Sequence, residues 1–184
     1  LFIYDFETST SEKVAGGAQT APTWVNDSTI IYAKKSKPNK NGSKYFDLYK
    51  INLMSEDEER LTTNSRLRSP VYHVKSNQIA AIRSYDGTSN ILVSDADSIN
   101  FMPITNFTDG IQMASLSWKD DLMMVDAVYH HNRNIYSVNI EIGKLEMIQS
   151  DNGDCRDMIM HKDVHVFATD RSGILNLFQE DKGY

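Results

Sequence analysis

Two stretches of the chain, IAAIRSYDGTSNILVSD (79 to 95) and VHVFATDRSGILNLFQED (164 to 181), follow the same plan. Each has an apolar run, a polar turn, a second apolar run and a final aspartate. The second run occurs five times along the chain, and each time an Asp or Asn lies four residues after its first aliphatic residue. These terminators are Asp5, Asn52, Asp95, Asn139 and Asp181. The spacings of 47, 43, 44 and 42 residues indicate an internal repeat, which constrains the architecture before any single residue is interpreted.

Three further apolar columns recur around the terminators, each in four of the units. A bulky residue precedes a polar turn, as at Trp24, Tyr72, Trp118 and Met160. After this turn comes the first of the two apolar runs described above: TIIYA (29 to 33), QIAAI (78 to 82), LMMV (122 to 125) and VHVF (164 to 167). A last one follows the terminator: EKV (12 to 14), RLT (60 to 62), MPIT (102 to 105) and LEMI (145 to 148). Each unit thus predicts four short strands in about 44 residues.

Short runs rich in Ile, Val, Tyr and Phe are typical of strands, and no stretch carries a sustained helical stripe. A four-stranded unit of this length predicts an all-β fold, a β-propeller of four-stranded antiparallel blades. We expect a single β-propeller domain or partial propeller over 1–184. Its approximate repeats are three whole units and two partial ones, at 1–17, 18–63, 64–106, 107–150 and 151–184. So few blades favour a piece of a longer chain.

The repeat resembles the TolB-like (WD40-like, PD40) propellers over nearly the whole chain. The best matches are FATDRSGILNLF (167 to 178), IRSYDGTSNILVSDAD (82 to 97) and RNIYSVNIEIGK (133 to 144). The Ser-Pro-Asp-Gly turn of that family is replaced by VNDS, HVKSN, KDD and HKD, so we expect a diverged member. The resemblance implies a non-catalytic scaffold for proteins or peptides in the bacterial cell envelope, periplasmic or extracellular.

The search for catalytic motifs is negative. There is no Gly-x-Ser-x-Gly elbow, phosphate loop, Cys-x-x-Cys or His-Glu-x-x-His, so we expect no enzyme activity, metal or cofactor from this chain. The alternative is the propeller portion of a prolyl oligopeptidase-like hydrolase whose catalytic domain lies elsewhere. His73 and His161 share one repeat column, which favours a structural role. A single cysteine, Cys155, excludes an internal disulfide and leaves the compartment open.

No apolar run reaches 18 residues, which predicts no membrane insertion. The placement of charge is more informative. In a propeller, connections between second and third strands and between blades share one face. The segments assigned to it hold twelve Lys or Arg against seven Asp or Glu, although the chain carries a net charge of −6. We therefore expect a protein or peptide partner on this face, and the excess of positive charge favours an acidic one. The alternative is a solvated loop at 34–44.

The candidate partner-binding residues fall into two groups. The basic face contributes Lys34, Lys35, Lys37, Lys40, Arg133 and Arg171. The first strands line the central channel and contribute Arg68, Gln112 and Arg156, for which a salt-bridged structural role is the alternative. Nucleic acid is not expected as a partner, because the pI is about 5.3 and no aromatic residues interleave the lysines.

Overall fold

The computed structural model describes residues 1–162 and 164–181, with side chains through residue 179. Asp163 of the HKD turn and residues 182–184 of the last repeat lie outside the described residues. The described part contains only strands and connections, with no helix that could cross a membrane. The predicted all-β class is confirmed.

The strands form five antiparallel sheets. The N-terminal hairpin is β1 (Phe2–Asp5) and β2 (Thr10–Lys13). Blade 1 is β3 (Thr23–Asn26), β4 (Thr29–Lys35), β5 (Phe46–Asn52) and β6 (Glu58–Arg60). Blade 2 is β7 (Leu67–His73), β8 (Gln78–Tyr85), β9 (Thr88–Asp95) and β10 (Met102–Pro103). Blade 3 is β11 (Gln112–Lys119), β12 (Leu122–Tyr129), β13 (Asn132–Asn139) and β14 (Lys144–Gln149). Blade 4 is β15 (Cys155–His161), β16 (Val164–Thr169) and β17 (Asn176–Asp181).

Each complete blade is a meander in which consecutive strands pair. The structure therefore has three four-stranded blades, one sheet of three strands and one of two. The second strands are longer than the sequence runs, and β4 extends through Lys35. The sequence predicts the fourth strand of blade 1 at 60–62, but β6 spans Glu58–Arg60, and the N–H of Leu61 donates to the carbonyl of Leu48 just beyond its end.

The repeated terminators have a common structural role. Asp5 accepts the N–H groups of the residues two and three positions later, at 2.8 and 3.1 Å. Asn52, Asp95 and Asn139 do the same. An Asp or Asn side chain that bonds the following backbone starts a tight turn. The repeat therefore records the turn between the third and fourth strands.

A second repeated contact, in blades 1 and 2, ties the third strand to the segment that follows the fourth strand. Asp47 and Asn90 begin the apolar part of the third strands, and their Oδ1 atoms accept the N–H of Ser65 (2.9 Å) and Phe107 (2.7 Å). A threonine hydroxyl completes the contact in each case, with Thr62 and Thr105 accepting the next strand N–H at 2.9 Å. These bonds fix where the connection to the next blade leaves the sheet.

The apolar core lies between blades rather than within one. One cluster joins blades 1 and 2 through Ile31, Leu48, Leu67 and Leu92. The largest joins blades 2 and 3, with Ile82, Ile91, Met113 and Val125 among its buried members. A third joins blades 3 and 4 through Ile135, Cys155 and Phe167. Because neighbouring sheets bury one another's faces, each blade depends on the next for its stability.

Candidate functional site

Antiparallel meanders place their connections at two opposite ends of the blades. The connector face consists of the links between second and third strands and between blades, at 14–22, 36–45, 61–66, 86–87, 104–111, 130–131, 150–154 and 170–175. The hairpin face consists of the remaining described turns, at 6–9, 27–28, 53–57, 74–77, 96–101, 120–121 and 140–143. Residues of the acidic SEDEE segment at 55–59 lie at or beside the hairpin face.

A cavity of about 210 Å³ opens on the connector face between blades 1 and 2. We call it the cationic cavity. Its lining residues are Lys35, Lys44, Tyr45, Phe46, Arg66, Arg68 and Ser84. Four of the seven are cations and none is a carboxylate. In a chain of net charge −6, such a local excess of positive charge attracts anionic groups.

Arg66 is the best positioned cation of this cavity. Its guanidinium carbon lies 4.4 Å from the ring centroid of Tyr45 and 5.0 Å from that of Tyr85. Both rings therefore orient the guanidinium by cation–π contact. A guanidinium held on its faces presents its N–H edge, which matches the two oxygens of a carboxylate. Hydrogen bonds from Ser43 and Arg66, together with the charge of Arg66, lower the pKa of Tyr45.

The backbone of Arg66 also departs from the usual region. Its φ is 61°, in the left-handed region that non-glycine residues rarely occupy. Such a conformation persists only when the surrounding structure enforces it. The link between blades 1 and 2 thus holds Arg66 at the mouth of the cavity.

Arg68 contributes charge to the cavity but few free donors. Its guanidinium donates to the carbonyl of Ala114 at 3.0 Å, to the Ser84 hydroxyl at 3.3 Å and to the carbonyl of Met113. Burial lowers the pKa of Arg68, and the negative charge of Asp126 opposes that effect. The residue therefore joins blade 2 to blade 3 through these hydrogen bonds, and among the described residues it forms no salt bridge of the kind the structural alternative expected.

The lysines predicted for this face occupy three environments. Lys34 bonds Glu58 at 2.6 Å and lies 4.1 Å from the Tyr49 ring, so its charge is neutralised along blade 1. Lys35 lies over the Phe46 ring at 5.4 Å and lines the cationic cavity. Lys37 and Lys40 are exposed on the connection at 36–45. Within the described residues, Lys35, Lys37 and Lys40 make no ion pair.

That connection is built from defined turns. The Oδ1 atom of Asn39 accepts the N–H of Asn41 at 2.9 Å and of Ser43 at 3.0 Å. The N–H of Ser36 donates to the carbonyl of Tyr45 at 2.8 Å, which closes the base of the loop. The loop therefore holds Lys44 and Tyr45 beside the cavity.

The other predicted residues lie apart from the cationic cavity. Arg133 pairs with Asp126 at 2.7 Å and Arg156 with Asp154 at 2.8 Å. Arg171 pairs with Asp151 at 3.1 Å and lies 3.7 Å from the Phe178 ring centroid. The Gln112 amide donates to the carbonyls of Gly110, at 3.3 Å, and Gly87. Each of these four side chains thus binds a group of the same chain.

The central channel forms a separate cleft of about 380 Å³. Its walls come from the first strands of the blades. In β7, β11 and β15 the pairing with the second strand shifts register near the middle of the strand. The lining residues include Pro22, Pro70, Leu116, Trp118 and Met160. Arg68, Gln112 and Arg156 are not among the lining residues, because they precede the shifts and lie nearer the connector face.

Sequence reasoning missed Lys44, Tyr45, Arg66 and Tyr85 as members of one site. The predicted loop at 34–44 includes Lys44, and the link between blades 1 and 2 places Arg66 on the same face. The contact of Arg66 with two tyrosines depends on side chains from two different blades, and no linear motif records it.

Comparisons with known proteins support the fold. No protein-family model and no curated protein matches the chain. Among solved structures, a putative TolB from Agrobacterium tumefaciens matches at a TM-score of 0.77 with 14% identity, covering 97% of this chain and 64% of that one. TolB from Acinetobacter baumannii matches at 0.64 with 14% identity, covering 98% and 48%. The β-propeller domain of the trilobed protease from Pyrococcus furiosus matches at 0.63 with 14% identity, covering 92% and 56%.

The chain thus spans less than two thirds of the length of each of these structures. Identity this low supports a common fold and no shared activity. The missing family-model match agrees with a sequence diverged from the usual repeat. The chain has the β-propeller fold of TolB and related propeller domains.

Proposed function

We propose that this propeller is a non-catalytic scaffold that binds an acidic protein or peptide segment on its connector face. The single observation that carries the proposal is the cationic cavity, where Lys35, Lys44, Arg66 and Arg68 meet with no carboxylate among the lining residues. At about 210 Å³ the cavity is smaller than the 300 to 1,000 Å³ typical of drug-sized ligands. It suits one carboxylate side chain or a carboxyl terminus as an anchor.

Arg66 is the residue that recognises the carboxylate in this proposal. Its stacked guanidinium offers a paired N–H edge, and Lys44 adds an exposed ammonium. Lys37 and Lys40 extend the positive charge along the adjoining loop and attract an acidic segment from a distance. Nucleic acid fits less well, since the tyrosine faces that meet Arg66 are not available for base stacking.

The experiment measures binding of a fluorescein-labelled acidic peptide by anisotropy. We expect the double variant Arg66→Ala with Lys44→Ala to bind at least about tenfold more weakly. The matched control, Lys13→Ala with Lys162→Ala, removes the same net charge from exposed positions outside the cavity. Equal losses in both double variants would contradict the proposal, and so would tighter binding of a single-stranded oligonucleotide than of the peptide.

A propeller attached to a hydrolase is the second candidate. The likeness to the propeller domain of a protease favours it, although the chain itself lacks a nucleophile elbow. Reading the coding sequence beyond Tyr184 tests this alternative. A Gly-x-Ser-x-Gly motif within an alternating α/β pattern would support a hydrolase, and its absence from the full coding sequence would exclude this class. A periplasmic or extracellular location rests on the resemblance to TolB-like propellers alone and is tested by fractionation.

A further inference from the structure

A larger cavity, of about 630 Å³, lies on the hairpin face between blades 2 and 3. We call it the acidic cavity. It is formed by the turns after β7, β11 and β13, and four carboxylates are among its lining residues: Asp120, Asp121, Glu141 and Glu146. No lysine or arginine is among them. Its charge is therefore opposite to that of the cationic cavity, at the other end of the blades.

Nearby lysines neutralise only part of this charge. Lys75 bonds Asp120 at 2.5 Å, and Lys144 lies 3.4 Å from Glu146. Asp121 and Glu141 are exposed and have no ion pair within residues 1–162 and 164–181. Two carboxylates thus remain available at the cavity.

The wall of the acidic cavity holds an independent sign of a ligand. His73 stacks on Trp118 with ring centroids 4.5 Å apart and an interplanar angle of 7°. The His73 residue is only 8% exposed, and its Nδ1 lies 2.7 Å from the Ser76 hydroxyl. The remaining ring nitrogen, Nε2, is buried and has no hydrogen-bond partner in the described part of the chain. Buried polar atoms are nearly always paired, so an unpaired one on a cavity wall points to a missing partner.

The Trp118 indole shows the same feature. Its Nε1 is also buried without a hydrogen-bond partner among the described residues. Where the His73 Nδ1–H donates to Ser76, Nε2 carries a lone pair and accepts a hydrogen bond from a ligand. The indole N–H donates, and suits a carbonyl oxygen. One acceptor, one donor and two unpaired carboxylates together match a peptide carrying a basic side chain.

We propose that the acidic cavity binds an arginine or lysine side chain of a basic peptide segment. Asp121 and Glu141 balance the positive charge. The His73 and Trp118 rings, whose unpaired nitrogens are buried, turn toward the ligand so that His73 Nε2 accepts a hydrogen bond and Trp118 Nε1 donates to the peptide backbone. The volume lies within the range of pockets that enclose several connected groups. A metal ion does not fit, because no group of three or more His, Cys, Asp or Glu in the described residues is arranged to hold one.

The experiment uses Trp118 as the reporter. The chain has two tryptophans, so a Trp24→Phe background leaves Trp118 alone. An arginine–glycine peptide is titrated against indole fluorescence and the indole N–H resonance. A peptide with citrulline in place of arginine is the neutral control. We expect saturable binding of the arginine peptide, a shifted Trp118 resonance, and at least about tenfold weaker binding of the citrulline peptide.

Two variants locate the site. Asp121→Asn with Glu141→Gln removes both unpaired carboxylates from exposed positions, and is expected to weaken arginine-peptide binding by at least about tenfold. Glu7→Gln with Glu12→Gln removes the same charge from the exposed N-terminal hairpin and is expected to change little. Equal weakening by both pairs, equal binding of the two peptides, or an unshifted Trp118 resonance at saturation would each overturn the proposal.

Discussion

The carboxylate of Asp126, on β12 of blade 3, accepts the backbone N–H of Asp157 in blade 4 at 3.0 Å. The same carboxylate accepts the N–H of Ser115 at 2.8 Å and bonds the Arg133 guanidinium at 2.7 Å. Its side chain is fully buried, so the three donors replace the water that a carboxylate would otherwise bind. Asp126 therefore joins two blades through one charged group.

We expect Asp126→Ala to lower the free energy of unfolding by about 3 kcal/mol, because it leaves the largely buried Arg133 without its partner. Asp126→Asn keeps one acceptor oxygen and is expected to cost less. Urea unfolding followed by circular dichroism measures both. The exposed Asp27→Asn is the control and should stay within about 0.5 kcal/mol of the parent. An Asp126→Ala variant as stable as that control would refute the role of this group.

Alanine substitutions at Gly143 and Gly87 distinguish the cost of backbone strain from the cost of a steric clash. Both have positive φ, 66° and 72°, but a Cβ on Gly143 would lie 2.1 Å from the carbonyl oxygen of Ile104, whereas one on Gly87 meets nothing within 4 Å. We expect Gly87→Ala to destabilise by about 1 to 2 kcal/mol through φ alone. Gly143→Ala should cost about 3 to 4 kcal/mol, since the backbone between blades 2 and 3 must move. Equal losses in urea unfolding would show that the Gly143 contact is not restrictive.

The hydrogen bonds of Glu58 predict how its contribution to the stability of the fold changes with pH. Burial raises the pKa of Glu58, but the hydrogen bonds from Lys34 and Tyr32 outweigh it and hold the pKa below its ordinary value of 4.5. A group with a lowered folded-state pKa stabilises the fold above its unfolded pKa, and this contribution is lost as pH falls through the folded value. The stability difference between the parent and Glu58→Gln should therefore shrink from about pH 6 to about pH 3.

The matched control for this measurement is Glu12→Gln, an exposed carboxylate with no hydrogen bond or ion pair among the described residues. Its difference from the parent, measured across the same range, is the baseline for removing one exposed carboxylate. A Glu58→Gln difference that is flat or grows on acidification would contradict the assigned hydrogen bonds.

Cys155 provides a probe of the boundary between blades 3 and 4. It is the only cysteine of the chain and is fully buried in a cluster with Met124, Ile135 and Phe167. A thiol reagent should therefore react slowly with the folded protein and rapidly in urea, because reaction requires local opening. Asp126→Ala should accelerate the reaction in buffer. A native rate equal to the unfolded rate would show that this boundary is open.

The repeat made most of the fold predictable. The terminators Asp5, Asn52, Asp95 and Asn139 recur because each starts the same turn, and the apolar runs recur because each blade buries its faces against its neighbours. Strand ends were less predictable, as at Lys35, where the strand continues into residues that look like loop. A polar lysine at a strand end has no local pattern that separates it from a turn.

The candidate sites were less predictable than the fold. The connections as the structure bounds them hold five Lys or Arg against five Asp or Glu, so the positive charge is local to the cationic cavity and does not cover the whole connector face. Charge counting along the chain placed Lys44 and Arg66 on that face, because connection topology follows directly from strand order. It did not identify Arg66 between Tyr45 and Tyr85, or Asp126 between Ser115 and Asp157. The repeat column shared with His161 favoured a structural role for His73 and did not reveal the cavity beside it. These contacts join different blades, and their partners lie far apart in sequence.

The most direct test of the account is a crossed binding measurement with an acidic peptide and an arginine peptide. Both are titrated by calorimetry into the parent protein, into Arg66→Ala with Lys44→Ala, and into Asp121→Asn with Glu141→Gln. The account predicts that the first double variant loses the acidic peptide and keeps the arginine peptide, and that the second shows the reverse. Parallel loss of both peptides in either variant would contradict two separate sites of opposite charge on the two faces.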